Sequence, residues 1–88
     1  MQARLTFDPA KHRDAFQAML GLGAAVNRSG LEPALLELVN IRASQINGCG
    51  YCLDMHTKDA RASGESEQRL YLLSAWREAT VYSERERA

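Results

Sequence analysis

The sequence has little of what marks a secreted, membrane-spanning or nucleic-acid-binding protein. Lysine plus arginine and aspartate plus glutamate balance at 11 each, so the net charge is zero. A neutral chain lacks the basic excess that nucleic acids and anionic membrane surfaces attract. The N-terminal stretch MQARLTFDPAKHRDAF has no apolar run of the signal-peptide kind. No segment approaches the roughly 20 apolar residues of a membrane span. We therefore expect a soluble protein of the cytoplasm.

Cysteine is also scarce, with two in 88 residues. Two are too few for a disulfide scaffold, and structural disulfides are rare in the cytoplasm. The length allows one small domain, and we predict a single domain over residues 1–88. A short chain buries a smaller fraction of its surface than a long one, so contacts between subunits are expected to add stability.

The two prolines and six glycines mark the boundaries of helical segments. Asp8-Pro9 predicts an N-cap followed by proline in the first turn, and Asn47-Gly48 predicts a turn. Runs with the alternating pattern of strands are absent, so the predicted fold class is an all-α helical bundle. The predicted helices cover about residues 8–28, 33–47, 49–63 and 66–76.

The C-terminal residues SERERA fit a capping box, with Ser83 at the cap and Glu86 three residues later. A helix of about five residues is not stable alone. Two interpretations fit this pattern equally well. The chain is the front part of a longer protein, or it ends in a frayed, charged tail.

The stretch INGCGYCLDMH places Cys49 and Cys52 three residues apart, with His56 four residues after the second cysteine. A structural zinc site almost always has four ligands, and this stretch offers three. The other histidine of the chain lies on a different predicted helix, and Asp54 and Asp59 are expected to turn away on the helix surface. We therefore expect no metal ion and no organic cofactor.

A CxxC pair at the start of a helix instead favours redox chemistry. Both sulfurs lie over unpaired backbone N–H groups and the positive end of the helix dipole, which favour the thiolate. The spacing lets Cys49 and Cys52 form a disulfide with little backbone movement. His56, on the same helix face as Cys52, can take its proton and hold the thiolate as an ion pair. One cysteine can attack and the other resolve.

Glu37 is a candidate for a third group. It lies eleven residues before Gly48, and His56 lies eight residues after it. At about 1.5 Å per residue, these positions are roughly 16 Å and 12 Å along the arms of a helical hairpin. If the two helices pack antiparallel, the carboxylate can orient the imidazole. Spacing alone favours a solvated surface residue, although a carboxylate within the apolar segment LLELV is unusual.

The pattern of Glu37, Cys49, Cys52 and His56 resembles the active-site signature of the alkylhydroperoxidase AhpD group, within the carboxymuconolactone decarboxylase superfamily. The resemblance covers roughly residues 30–80, including LELVNIRASQINGCGYCLDMHTKDAR. It implies an all-helical bundle that assembles as a trimer or hexamer and reduces peroxides with its dithiol. A dithiol reductant or reductase partner regenerates that dithiol. The decarboxylase branch uses no CxxC pair, so its chemistry is not expected here.

The resemblance also implies a role for each residue of the pattern. Cys52 is the thiolate that attacks the peroxide, Cys49 the resolving cysteine, His56 the base and Glu37 the upstream member of a proton relay. The neighbouring histidine is the physical reason to prefer Cys52 as the nucleophile. Tyr51 stands where some members carry a histidine. It is a candidate to hydrogen-bond a peroxide, although packing beside the site is the simpler interpretation.

The leading prediction is therefore a thiol-dependent alkyl hydroperoxidase or disulfide reductase that acts in antioxidant defence. A second interpretation is a non-enzymatic redox sensor or interaction module, in which the disulfide switches assembly or partner binding. A third is a metal-binding helical module with ligands shared between subunits. Turnover separates the first two, because a sensor is oxidised once whereas an enzyme cycles.

Overall fold

The computed structural model describes residue 8 and residues 10–88, and those residues contain helices and no strand. This confirms the all-α fold class. The chain divides into two compact units, residues 1–30 and 31–88. No helix among the described residues is long and apolar enough to cross a membrane. The helices are α1 Arg13–Asn27, α2 Pro33–Asn47, α3 Gly50–Ala62, α4 Glu67–Tyr71 and α5 Glu84–Arg87, with a 3-10 turn at Leu73–Ala75.

In the first unit, α1 begins later than the sequence predicts. Asp8 caps a turn that precedes the helix, because its Oδ1 accepts a hydrogen bond from the Ala10 N–H at 2.9 Å. Its carbonyl accepts from the N–H groups of Lys11 and His12 at 3.1 and 3.0 Å. His12 then occupies the N-cap position of α1. The predicted role of Pro9 lies outside the described residues.

In the second unit, a Schellman motif ends α2 and leads directly into α3. Gly48 has φ 67°, and its N–H donates to the Gln45 carbonyl at 3.2 Å. The Cys49 N–H donates to the Ser44 carbonyl at 3.1 Å. Glycine adopts this left-handed conformation without the steric cost of a Cβ atom. The predicted turn is confirmed, and Cys49 is the N-cap residue of α3.

The core of the second unit lies between the α2–α3 hairpin and the segment that follows it. Ile41 is 1% exposed, and burial of such a side chain stabilises the fold by about 2 to 3 kcal/mol. Leu70 and Trp76 are partly buried and pack against this core. The buried apolar residues are Leu38, Ile41, Ala60, Leu73 and Tyr82.

The fourth helix is shorter than the sequence predicts. α4 ends at Tyr71, and Leu72, with φ −89° and ψ 0°, leads into the 3-10 turn. Side chains three residues apart eclipse each other in a 3-10 helix. Leu73 and Trp76 have this spacing, and both contact the core. The prediction of one α-helix from Ser66 to Trp76 is therefore wrong, because core packing favours the tighter turn.

The Arg69 side chain links α4 to the C-terminal segment through hydrogen bonds and an ion pair. Its Nε donates to Glu65 Oε1 at 2.7 Å, and its Nη1 donates to the Val81 carbonyl at 2.7 Å. The guanidinium also forms an ion pair with the Glu86 carboxylate. It lies 5.0 Å from the ring centroid of Tyr82, whose hydroxyl donates to the Arg69 carbonyl.

The predicted capping box at the start of α5 is confirmed. Ser83 Oγ accepts the Glu86 N–H at 3.2 Å, and Glu86 Oε1 accepts the Ser83 N–H at 2.8 Å. A helix of four residues needs tertiary contacts to persist, and the bond between Arg69 and Glu86 provides one.

Candidate functional site

A disulfide between Cys49 and Cys52 stands at the N-terminus of α3. The two Cα atoms are 5.3 Å apart, within the usual range for such a bond. Cys49 Sγ accepts the Cys52 N–H at 3.2 Å, so one N–H of the first helical turn is directed at sulfur. Both cysteines are partly exposed. The disulfide therefore lies near the surface, beside the positive end of the helix dipole.

Glu37 of α2 and His56 of α3 meet across the hairpin. Glu37 Oε2 lies 3.2 Å from His56 Nδ1, and the two side chains are 26% and 21% exposed. An ionised carboxylate can only accept a hydrogen bond, so this contact requires a proton on Nδ1. The ring then keeps Nε2 to accept another proton. The expectation that the two residues reach similar heights on the hairpin is confirmed, and Glu37 is not a fully solvated surface residue.

Cys52 and His56 lie on one face of α3, because residues four apart are neighbours on a helix. The imidazole is thus one helical turn from the second sulfur of the disulfide. Tyr51, in the first turn of α3, is 78% exposed. Its contact with a substrate stays a prediction, as do the catalytic roles of both cysteines and of the Glu37–His56 pair.

Asp59 also lies at this site, where the sequence did not place it. One of its carboxylate oxygens, one of Glu37 and a ring nitrogen of His56 all lie within 4.8 Å of one another. The expectation that Asp59 turns away is wrong. Its spacing of three residues from His56 places both on one helix face, and that spacing was the available signal.

These three groups do not complete a structural zinc site. Asp59 is exposed, and the set is one ligand short of the four that a structural zinc site has. We therefore interpret them as an acid–base cluster. The absence of a metal or organic cofactor stays a prediction.

A separate apolar groove of about 360 Å³ lies along α2. It is lined by Val39 and Ile46 of α2 and by Trp76 and Tyr82. Ile46 is nine residues from Glu37. At 3.6 residues per turn this is two and a half turns, so the two side chains leave the helix on opposite sides. The groove and the disulfide site therefore use opposite faces of α2.

The helical hairpin and its cysteine pair define an all-α protein with a CxxC disulfide at the N-terminus of a helix. The carboxymuconolactone decarboxylase family matches residues 13–88, so the chain belongs to that family. A relative in Bacillus subtilis, the uncharacterized protein YdfG, is 44% identical over 75 residues, which are 85% of this chain and 51% of that protein.

Two further comparisons concern proteins of the AhpD type. The alkyl hydroperoxide reductase AhpD of Acidobacterium capsulatum is 44% identical over 52 residues, 59% of this chain and 27% of that protein. A crystal structure of ATU0492 from Agrobacterium tumefaciens, a protein of unknown function and candidate AhpD antioxidant defence protein, is also 44% identical. It superimposes with a TM-score of 0.80 over 98% of this chain and 58% of that one. These matches confirm the AhpD-like resemblance, and the chain spans between about half and three fifths of YdfG and ATU0492.

Proposed function

We propose that this chain carries the dithiol site of an AhpD-like peroxidase, which reduces hydroperoxides to alcohols or water. The observation that carries the proposal is the 3.2 Å contact between Glu37 and His56 on the hairpin that also holds the Cys49–Cys52 disulfide. A histidine held by a carboxylate, one turn from a cysteine, is the arrangement that activates a thiol as a nucleophile. The AhpD relatives support the same chemistry.

The first half-reaction begins with the reduced protein. His56 takes the Cys52 thiol proton at Nε2, while Nδ1–H keeps its bond to Glu37. The Cys52 thiolate then attacks the hydroxyl oxygen of the hydroperoxide, so that a sulfur–oxygen bond forms as the oxygen–oxygen bond breaks and an alkoxide leaves. The leaving alkoxide receives the proton from the imidazolium and departs as an alcohol. Cys52 is left as a sulfenic acid.

The second half-reaction restores the disulfide. The Cys49 thiol attacks the sulfenic sulfur of Cys52, the sulfur–sulfur bond forms and water leaves. An external dithiol then reduces this disulfide by thiol exchange and is itself oxidised to a disulfide. The net reaction converts one hydroperoxide and one dithiol into one alcohol, one water and one disulfide.

Stopped-flow mixing of the fully reduced protein with hydrogen peroxide and with cumene hydroperoxide tests this proposal. We expect rapid loss of two thiols per chain, an intramolecular disulfide, and continued turnover when dithiothreitol is present. Cys49→Ser is expected to be oxidised once and to stop at the sulfenic acid, whereas Cys52→Ser is expected to react no faster than a free thiol. Full peroxidase activity in Cys52→Ser contradicts the assignment. A single oxidation without turnover points to a redox sensor.

We also propose that the chain functions as a homo-oligomer, a trimer or hexamer. The support is the groove face of α2, defined as Val39 and Ile46 with the groove beside them, where these side chains are 52% and 70% exposed. Large apolar side chains exposed on one face are typical of a surface that contacts another subunit.

A further inference from the structure

The two aspartates of α3 have different surroundings. Asp54 forms an exposed ion pair with Lys58 at 2.9 Å. Asp59 has no hydrogen bond or ion pair from its carboxylate to any other part of the chain that the structure describes. Its carboxylate instead lies within 4.8 Å of a Glu37 oxygen and a His56 ring nitrogen.

Two carboxylates at this separation repel each other when both are ionised, and a positive charge beside them relieves the repulsion. The imidazole of His56 is the group that can take up such a charge, and it does so when it accepts a proton. Asp59 lies three residues from His56 but seven from Cys52, which is roughly 10 Å along the helix axis. Its charge therefore acts more strongly on the imidazolium than on the thiolate.

We propose that Asp59 is a positioning residue of the dithiol site, whose carboxylate stabilises the His56 imidazolium formed when Cys52 gives up its proton. Glu37 from α2 and Asp59 from α3 lie beside His56, and Cys52 is one helical turn away on α3. Glu37 fixes the ring through the hydrogen bond at Nδ1, whereas Asp59 acts through space from the exposed side. This inference rests on the proposed function, because it concerns the same proton transfer.

The test reads thiolate formation directly and needs no peroxide. The rate of alkylation of Cys52 by iodoacetamide is measured from pH 5 to pH 9 in the Cys49→Ser background, with a chelator present. Asp59→Asn is compared with Asp54→Asn, a matched change on the same helix. We expect Asp59→Asn to slow alkylation near neutral pH by about threefold to tenfold and to shift the rise in reactivity to higher pH. Asp54→Asn is expected to stay within about twofold.

Two further readouts separate a charge effect from a structural one. At about 1 M salt the Debye length falls to about 3 Å, so the difference between the parent and Asp59→Asn is expected to shrink. Asp59→Glu, which restores the charge, is expected to recover most of the rate. Should the asparagine variant fail to fold, as judged by circular dichroism, Asp59→Ser takes its place.

An unchanged alkylation profile in Asp59→Asn, or an equal loss in Asp54→Asn, overturns the proposal. A loss that persists unaltered at high salt also overturns it. Because alkylation needs no peroxide, this outcome is distinct from a failure of peroxidase turnover. The protein can lack turnover and still show the Asp59 effect, or turn over without it.

Discussion

His56 Nδ1 lies 3.2 Å from Glu37 Oε2, although the two residues are 19 positions apart. The contact follows from the turn at Gly48, where the chain reverses so that α3 runs back along α2. Glu37, eleven residues before Gly48, therefore lies beside His56, eight residues after it. The Cys49–Cys52 disulfide lies directly after this turn. One hairpin, residues 33–62, therefore provides both the cysteines and the acid–base pair.

Removal of the acid–base pair is expected to slow the reaction of the reduced protein with peroxide. His56→Gln removes the proton acceptor, and we expect a loss of about 100-fold in the second-order rate constant. Glu37→Gln keeps a similar shape but loses the charge that steadies the imidazolium, and we expect a loss of about tenfold or more. Stopped-flow kinetics at pH 7 measures both.

Glu32→Gln is the matched control for Glu37→Gln. Glu32 is the N-cap residue of α2, and its exposed carboxylate binds Arg85 rather than the disulfide site. Its substitution is expected to leave the rate with peroxide unchanged. Equal rates in Glu37→Gln and the parent protein contradict a role for the carboxylate in the relay.

The left-handed conformation of Gly48 gives a prediction on the stability of the protein. Gly48→Ala places a side chain at φ 67°, and we expect the free energy of unfolding to fall by about 1 to 2 kcal/mol. A Cβ atom at this position meets nothing within 4 Å, so the cost comes from the backbone alone. Urea denaturation of the reduced protein measures the change.

Gly50→Ala provides a control with the opposite sign. Gly50 is the first residue of α3, has no positive φ and also has open space around its Cβ position. Because alanine is the better helix former, this change is expected to stabilise the protein by up to about 1 kcal/mol. Destabilisation of equal size in both variants is inconsistent with a backbone origin for the Gly48 effect.

The parts of the site that the sequence could predict depend on local rules. Gly48 ends one helix, Cys49 caps the next, and counting residues along two helices brings Glu37 to His56. Each step needs only helix geometry and turn chemistry. The same is true of the capping box at Ser83, which formed as predicted.

The parts that could not be predicted depend on tertiary packing or on the choice between helix faces. The sequence from Ser66 to Trp76 suits a continuous helix, yet the burial of Leu73 against the core accompanies a 3-10 turn. Asp59 has the right spacing from His56, but that spacing does not show how near the opposite helix lies. Only the packing of α3 on α2 brings its carboxylate towards Glu37.

Assembly is expected to depend on the groove face of α2. Ile46→Glu places a charge on an apolar surface, so we expect the mass measured by light scattering to fall towards that of a single chain. Tyr71→Glu is the control, because Tyr71 is 75% exposed and does not line the groove. An unchanged mass in Ile46→Glu contradicts the use of this face as the subunit contact.

The ion pair between Arg69 and Glu86 gives a prediction on acid stability. The side-chain hydrogen bond from Arg69 lowers the pKa of Glu86 from its usual 4.5 to about 2. A carboxyl group whose pKa is lower in the folded state stabilises the protein above its unfolded pKa, and this contribution is lost as pH falls through the folded pKa. The Glu86 contribution is therefore present at pH 7 and disappears between about pH 4.5 and pH 2.

Glu86→Gln is accordingly expected to lower the free energy of unfolding by about 1 to 2 kcal/mol at pH 7 and to have a much smaller effect near pH 2. Urea denaturation of both proteins at several pH values measures this difference. Glu84→Gln is the control, because Glu84 is exposed on the same short helix, and its effect is expected to be small at every pH. A difference for Glu86→Gln that stays constant from pH 7 to pH 2 indicates lost packing rather than a lost charge. In that case the charge of the Glu86 carboxylate does not account for the stability that α5 gains from Arg69.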